Sequence, residues 1–286
     1  MRKGTKAQKK RRKALFSALV LLLALLLPAC ARRADPLKAV FLKAGKADAI
    51  LLTCGGQTMA IDTGETDDAE KLISAARSYG AERIDFLIVT HFDRDHVGGA
   101  AALIEALPAA NVLLPDYEGD SDEYRAFTAA MEKKGIVPQR LTEPLTFSFG
   151  PAAVTVDPPS DVSIAGTSDD ADNELSLIVT VEYGETRLLF AGDAEDGRLT
   201  EWLGSGAARP CDLLKVPHHG KYGKALVPLL AAVSPGYAVI CDSEKNPADE
   251  KTLALLKEAG AKIYETKDGD IRAESDGKTV KVRFAR

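Results

Sequence analysis

Apolar positions along the chain recur in two rhythms. Short β-like runs bounded by Gly, Pro or polar clusters include Ala39–Leu42, Ala49–Cys54, Thr58–Ile61, Ile84–Val89, Ala152–Val156, Leu175–Tyr183, Thr186–Phe190, Leu213–Val216 and Tyr237–Cys241. Helical spacing marks Asp67–Ser78, Gly98–Leu107, Asp122–Lys133, Glu195–Trp202, Ala225–Val233 and Glu250–Ala259. Gly55-Gly56 and Gly184 sit where hairpins turn, and a polar loop is expected over Ser160–Asn173. The stretch from Gly55 to Pro158 mixes hairpins with βα units. That mixture predicts an α/β (α+β) fold of two sheets with helices outside, rather than one doubly wound sheet.

The pattern also repeats. Gly56-Gln-Thr, five residues, then Gly64 is echoed 128 residues later by Gly184-Glu-Thr, five residues, then Gly192. Each copy follows an apolar strand and precedes an acidic helix start. Generic hairpin chemistry accounts for the echo as well as a duplicated half does, and the second account places a site between the halves.

The N-terminus departs from both rhythms. Eight basic residues lie within the first thirteen, and Ala14–Leu27 follows as fourteen uncharged residues. This apolar core is short for a membrane span of about 20 residues and suits an export signal. Its end, Leu27-Pro28-Ala29-Cys30, resembles the lipobox of bacterial lipoproteins. Residues 1–29 are therefore expected to be a signal peptide, Cys30 the lipidated anchor, 30–36 a short linker and 37–286 the working domain. With no second apolar segment long enough to span, a stand-alone lipoprotein on the outer side of the cell membrane is expected. An uncleaved anchor helix and plain secretion are the competing readings.

Charge then changes the picture. The formal net charge is −5, but without the basic head 29 basic residues face 42 acidic ones, a net of −13. Bulk charge therefore makes no case for tracking long nucleic acid. Beyond Cys30 three cysteines remain, Cys54, Cys211 and Cys241, each in or beside an apolar run. An odd number argues against a disulfide framework and for buried free thiols.

The chain has four histidines, in two short places. Thr90-His91-Phe92-Asp93-Arg94-Asp95-His96-Val97-Gly98-Gly99 follows the run Ile84–Val89, and Val216-Pro217-His218-His219-Gly220 follows Leu213–Val216. Both stand where a strand gives way to a loop, the place where parallel strands of α/β folds present ligand-binding groups. Four imidazoles or carboxylates at i, i+2, i+4 and i+5 exceed what one ion readily takes, whereas two adjacent ions can share them. A solvated loop capping a helix is the bland alternative, and such loops rarely monopolise a chain's histidines.

These residues resemble the signature H-x-H-x-D-H of the metallo-β-lactamase superfamily. With Asp93 at the second ligand they are more similar to the metallo-β-lactamase-like domain of the ComEC family of DNA-uptake channel proteins. Supporting stretches are Lys46-Ala-Asp-Ala-Ile, Asp62-Thr-Gly64, Asp172-Asn-Glu-Leu-Ser-Leu, the run from Tyr183-Gly to Gly-Asp193-Ala-Glu, and Leu214-Lys-Val-Pro-His-His-Gly. The resemblance covers nearly all of 37–286. It implies a four-layer αββα fold with two divalent ions, zinc or manganese. His91 and Asp93 would bind one ion, Asp95 and His96 the other, Asp193 would bridge them, and one of His218 and His219 would close the second site. Asp62 would orient the site, and Asn173 stands near the place of an absent third-motif His. Lys221 replaces a Ser, and the family's Y-G-H-P segment is missing near 246–250.

Two ions roughly 3.5–4 Å apart lower the pKa of a bridging water towards about 7 and supply hydroxide at neutral pH. The reading is a membrane-anchored extracytoplasmic hydrolase of anionic phosphodiesters or related esters, with Asp95 and His218 as catalytic residues. Neighbouring side chains on an extended segment point apart, so the two histidines are not expected to ligate the same ion. The resemblance to phosphodiester-cleaving relatives with a similar pair implies that His219 ligates. That leaves His218 to meet substrate phosphate or protonate the leaving group, or in the bland alternative only to hydrogen-bond a ligating Asp. The start of the helix at Gly98-Gly99 is expected to favour an anion. Lys221 and Arg94 are candidate cationic contacts, with Arg94 equally read as solvated surface. A non-catalytic surface binding protein and a lactone or β-lactam hydrolase are the rival functions.

Overall fold

The computed structural model describes residues 35–160 and 171–285. The expected signal peptide, Cys30 and most of the polar loop at 160–173 lie outside the described residues. Among the described residues no helix is long and apolar enough to cross a membrane.

The described residues form fifteen strands: β1 (Leu37–Phe41), β2 (Ala49–Cys54), β3 (Gln57–Thr63), β4 (Ile84–Ile88), β5 (Ala109–Pro115), β6 (Gln139–Leu141), β7 (Leu145–Phe149), β8 (Ala152–Asp157), β9 (Ile178–Tyr183), β10 (Thr186–Phe190), β11 (Leu213–Lys215), β12 (Tyr237–Ile240), β13 (Lys262–Glu265), β14 (Ile271–Ser275) and β15 (Val280–Phe284). One sheet has the order β15-β14-β1-β2-β3-β4-β5-β6, the other β13-β12-β11-β10-β9-β8-β7. Both are mixed: β3 to β6 pair in parallel, as do β10 to β13, while the hairpin strands run antiparallel.

Alternation along the strands makes the layers. In β2, Ile50 and Leu52 face the core between the sheets, while Leu51 faces the helices. In β10, Leu188 and Phe190 point inward and Leu189 outward. Helices α1 (Ala69–Ser78), α3 (Ala100–Ala106) and α4 (Asp122–Lys134) cover the first sheet through Leu72, Leu103 and Phe127. Helices α6 (Asp196–Gly204), α7 (Leu226–Val233) and α8 (Glu250–Glu258) cover the second through Leu199, Leu229 and Leu256. The expected αββα architecture is what the chain adopts. Cys54, Cys211 and Cys241 are buried free thiols, and burial pushes the first two up to about 11 and about 12.

Differences from the sequence reading cluster near the loops that matter. The run Leu175–Tyr183 becomes strand only at Ile178, because α5 (Ala171–Glu174) precedes it and the Leu177 N–H donates to the Thr90 carbonyl (2.9 Å). The loop after β4 contains a single helical turn, α2 (Arg94–Val97), and α3 starts only at Ala100. The echoed hairpins β2–β3 and β9–β10 lie one in each sheet.

Candidate metal centre

The ends of β3, β4, β10, β11 and β12 deliver the polar side chains. Asp62, near the end of β3, has φ of 56° and is fully buried. Its carboxylate accepts from the Thr90 N–H (2.7 Å) and the Thr90 hydroxyl (2.7 Å), and lies 2.8 Å from His96 Nδ1. One carboxylate thereby holds three groups of the post-β4 loop. The Gly-Gly pair explains how the loop packs. A Cβ on Gly98 would lie 2.4 Å from the Arg94 carbonyl oxygen, and one on Gly99 2.4 Å from that of Thr63. The Gly99 N–H donates to the Gly64 carbonyl (3.2 Å), so the start of α3 is tied to the β3 turn.

The second histidine segment is a tight turn rather than the expected extended strand end. His218 (φ 48°, ψ 49°) and His219 (φ 53°, ψ 23°) are both left-handed, a conformation costly for residues with a Cβ. The rings still diverge, with centroids 6.2 Å apart and planes at 67°. His219 turns inward. Its Nδ1 donates to the Cys241 carbonyl (3.1 Å), and Nε2 lies 2.8 Å from Asp193 Oδ2 and 3.3 Å from Asp95 Oδ2.

His96 Nε2 is 3.3 Å from the same Asp193 oxygen, and His91 Nε2 is 3.6 Å from Asp93 Oδ2. His91 Nδ1 sits between the Thr90 and Ser176 hydroxyls, at 3.0 and 3.4 Å. His91, His96 and Asp193 form one group whose candidate ligand atoms all lie within 4.8 Å, and Asp95, His96 and His219 form another. Asp93, about a third exposed, joins through His91 alone.

Whether these residues suit a metal can be judged from their unused atoms. The Nε2 atoms of His91, His96 and His219 are buried and make no hydrogen bond. Three imidazole nitrogens aimed at carboxylate oxygens, with each ring's other nitrogen engaged, are a donor set made for a divalent cation. Burial opposes charge on either inner ring. Even so, Asp193 and Asp62 hold the pKa of His96 well above the ordinary value, and Asp193, Asp95 and Asp48 raise that of His219. Burial likewise opposes ionisation of Asp95 and Asp193, yet the imidazoles, with Lys46 beside Asp95 and Lys215 beside Asp193, keep both below the usual carboxylate range.

His218 faces a different chamber. Its Nδ1 lies 3.0 Å from Glu195 Oε1, and Nε2 is 3.0 Å from Lys221 Nζ and 3.5 Å from Asn173 Nδ2. Asn173 also donates to Glu195 Oε1 (3.1 Å), which leaves its buried Oδ1 unpartnered. A cavity of about 320 Å³ opens here, lined by Glu195, His218, Lys221 and Tyr222 among others. Burial pushes the His218 pKa down to about 4, with Asp193 opposing and Lys221 adding to the depression. The ring is therefore neutral at pH 7. The near-neutral proton donor expected from its ordinary pKa is not what this environment provides.

A family model described as the metallo-beta-lactamase superfamily matches residues 42–241. The chain belongs to the metallo-β-lactamase superfamily. Its domain is similar to parts of competence proteins. Recombination protein 2 of Haemophilus influenzae is 27% identical over 213 residues, covering 72% of this chain and 24% of that protein. ComE operon protein 3 of Bacillus subtilis is 25% identical over 200 residues, covering 68% and 25%. The chain thus spans about a quarter of the length of these relatives. Among solved structures, the metallo-β-lactamase fold protein YhfI of Bacillus subtilis superposes with a TM-score of 0.55 at 14% identity, covering 87% of this chain and all of that one. Zinc-bound PqqB of Methylobacterium extorquens gives 0.54 at 16%, covering 79% and 97%.

Within this metallo-β-lactamase domain His91, Asp95, His96, Asp193 and His219 fall into the two close groups, and Asp93 lies 3.6 Å from His91. Asp62 stands behind His96, and Asn173 and Lys221 lie around His218 instead. Four residues were given no role by the sequence reading: Asp48, Ser176, Glu195 and Lys215. Asp48 lay inside a stretch already matched to the family. Ser176, Glu195 and Lys215 likewise lie inside stretches matched to the family, with no role attached to them there.

Proposed function

We propose that the chain is a dinuclear metal-dependent hydrolase of anionic phosphodiesters or related esters, anchored outside the cell membrane through Cys30. The observation that carries the reading is the grouping of His91, Asp95, His96, Asp193 and His219, with Asp93 beside His91, around three buried imidazole nitrogens that face carboxylate oxygens. His91 and Asp93 would hold one ion, Asp95, His96 and His219 the other, with Asp193 between them. Two divalent ions, manganese or zinc, would supply hydroxide at neutral pH and a clamp for the oxygen that gains charge. Three carboxylates among six ligands make the set hard enough for manganese to compete.

The remaining steps belong to the chain's own groups. Asp95 orients the attacking water. His218, neutral and held at Nδ1 by Glu195, sets Lys221 at the edge of the 320 Å³ cavity, where a phosphate oxygen is met by the ammonium. Asn173 stiffens the same corner through Glu195. An anionic ester suits this cation-edged chamber better than a neutral lactone does. The similarity to competence proteins supports phosphodiester chemistry, while the acidic exported part favours short contacts over a long nucleic-acid track.

The deciding experiment is a substrate panel run with manganese and with zinc: single-stranded DNA, cyclic dinucleotides, phosphodiester wall polymers, lactones and β-lactams. Turnover confined to the diesters is the expected result. Two bound ions with no turnover of any member would favour the surface-binding reading instead. Mass analysis of the native N-terminus should find diacylglyceryl-Cys30, and an intact Met1 on membrane-bound protein would remove the anchor from the proposal.

A further inference from the structure

Behind the candidate ligands lies a buried ion pair that the proposed reaction does not use. Lys215, the last residue of β11, and Asp48, in the turn before β2, are almost completely buried, and they link the two sheets. The Lys215 ammonium is ion-paired with Asp48 Oδ2, donates to the Gly192 carbonyl (2.9 Å) and to Asp193 Oδ1 (3.3 Å). Asp48 in turn stands behind two imidazoles, 3.7 Å from His219 Nδ1 and 3.9 Å from His96 Nδ1. Its own N–H donates to the Asp95 carbonyl (3.1 Å).

Apart from the contact with Asp193, which both halves share, these contacts run to one half of the centre. Asp193, His96, His219 and the backbone of Asp95 are touched. Among the described residues neither Lys215 nor Asp48 pairs with His91 or Asp93, whose supports are the Thr90 and Ser176 hydroxyls. Because Lys215 engages Oδ1 of Asp193, Oδ2 is the oxygen left facing His96 and His219. We infer that Lys215 and Asp48 are positioning residues that brace only the Asp95–His96–His219 half, so that the two halves of the centre are separable in their hold on metal. The ammonium is a permanent charge, since Asp48 and Asp193 raise its pKa despite the opposing effect of burial.

The inference rests on the two-ion reading, and the test separates the two. Wild type, Lys215→Met and Asp48→Asn are loaded with cadmium, and bound ions are counted by elemental analysis and by cadmium NMR. Wild type should show two resonances, one from the half with two imidazoles. Both variants should lose that resonance, or need roughly 10–100-fold more metal to fill it, the usual scale for groups behind a ligand. The other resonance should persist at its wild-type position. Asp48→Asn is nearly isosteric and carries the test if Lys215→Met does not fold. Two resonances retained at wild-type affinity, or both lost together, would overturn the selective brace. A single resonance in wild type would instead overturn the two-ion reading.

Discussion

The two halves of the candidate centre are built to different standards. Asp95, His96 and His219 are buried beneath carboxylates, a lysine and the Cys241 carbonyl, with Asp62 holding His96 from behind. His91 is equally buried but leans on two hydroxyls, and its companion Asp93 is about a third open to solvent. Charged supports make stronger, better-directed hydrogen bonds than neutral ones. The difference suggests a division of labour, with one half a fixed post and the other the side from which an ion or a substrate arrives.

The most damaging way to challenge this asymmetry is to remove what both halves share. Asp193→Ala should lower bound metal below one ion per chain by elemental analysis and cut turnover roughly 10²–10³-fold or more, the scale of losing a preorganised electrostatic group. If both ions stay, Asp193 does not bridge. Next in size, the two adjacent histidines should separate. His219→Ala should lose one ion and nearly all activity. His218→Ala should keep both ions and lose roughly 10²-fold in rate, as expected when a group that places a substrate contact is misset. Metal stripped by His218→Ala but not by His219→Ala would reverse the assignment.

A gentler probe uses protons. In the metal-free protein the pKa values of His96 and His219 are raised, so each ring carries a proton below its raised value and must release it to bind an ion. Apparent affinity should therefore fall as pH drops, beginning above the ordinary histidine value of about 6.5. The depressed carboxylates Asp95 and Asp193 stay ionised and contribute only in strong acid. Calorimetric titration in buffers of different protonation enthalpy should record proton release at pH 7, and none would contradict the assignment. The smallest effect belongs to Arg94, which is two-thirds exposed and sits 3.6 Å from Glu65 and 4.0 Å from Glu123. Arg94→Ala should change stability by no more than about 1 kcal/mol in thermal melts and leave metal content unchanged.

Legibility in the sequence followed the same asymmetry. The ligands were readable because His91, Asp93, Asp95 and His96 crowd one short loop, and because His218 and His219 are adjacent. The layers were readable because Ile50, Leu51 and Leu52 alternate as a doubly covered strand must. Hidden from the sequence was everything that works across the fold. Lys215 looked like an ordinary charged end to an apolar run, and only the neighbouring end of β2 shows what its ammonium answers. The left-handed pair His218–His219 was unforeseen because nothing in their residue types calls for positive φ. Glu195 stands in the matched Gly-Asp193-Ala-Glu stretch, but its contact with His218 spans the end of β10 and the turn after β11 and so has no local signature.

The span of chain between the ligands bears on when an ion can enter. His96 and His219 meet only after both sheets have formed and closed on one another, because one follows β4 and the other follows β11. An unfolded or half-folded chain offers only the short His91–His96 loop, a weak chelator on its own. Capture of an ion by the complete ligand set would therefore be a terminal event of folding.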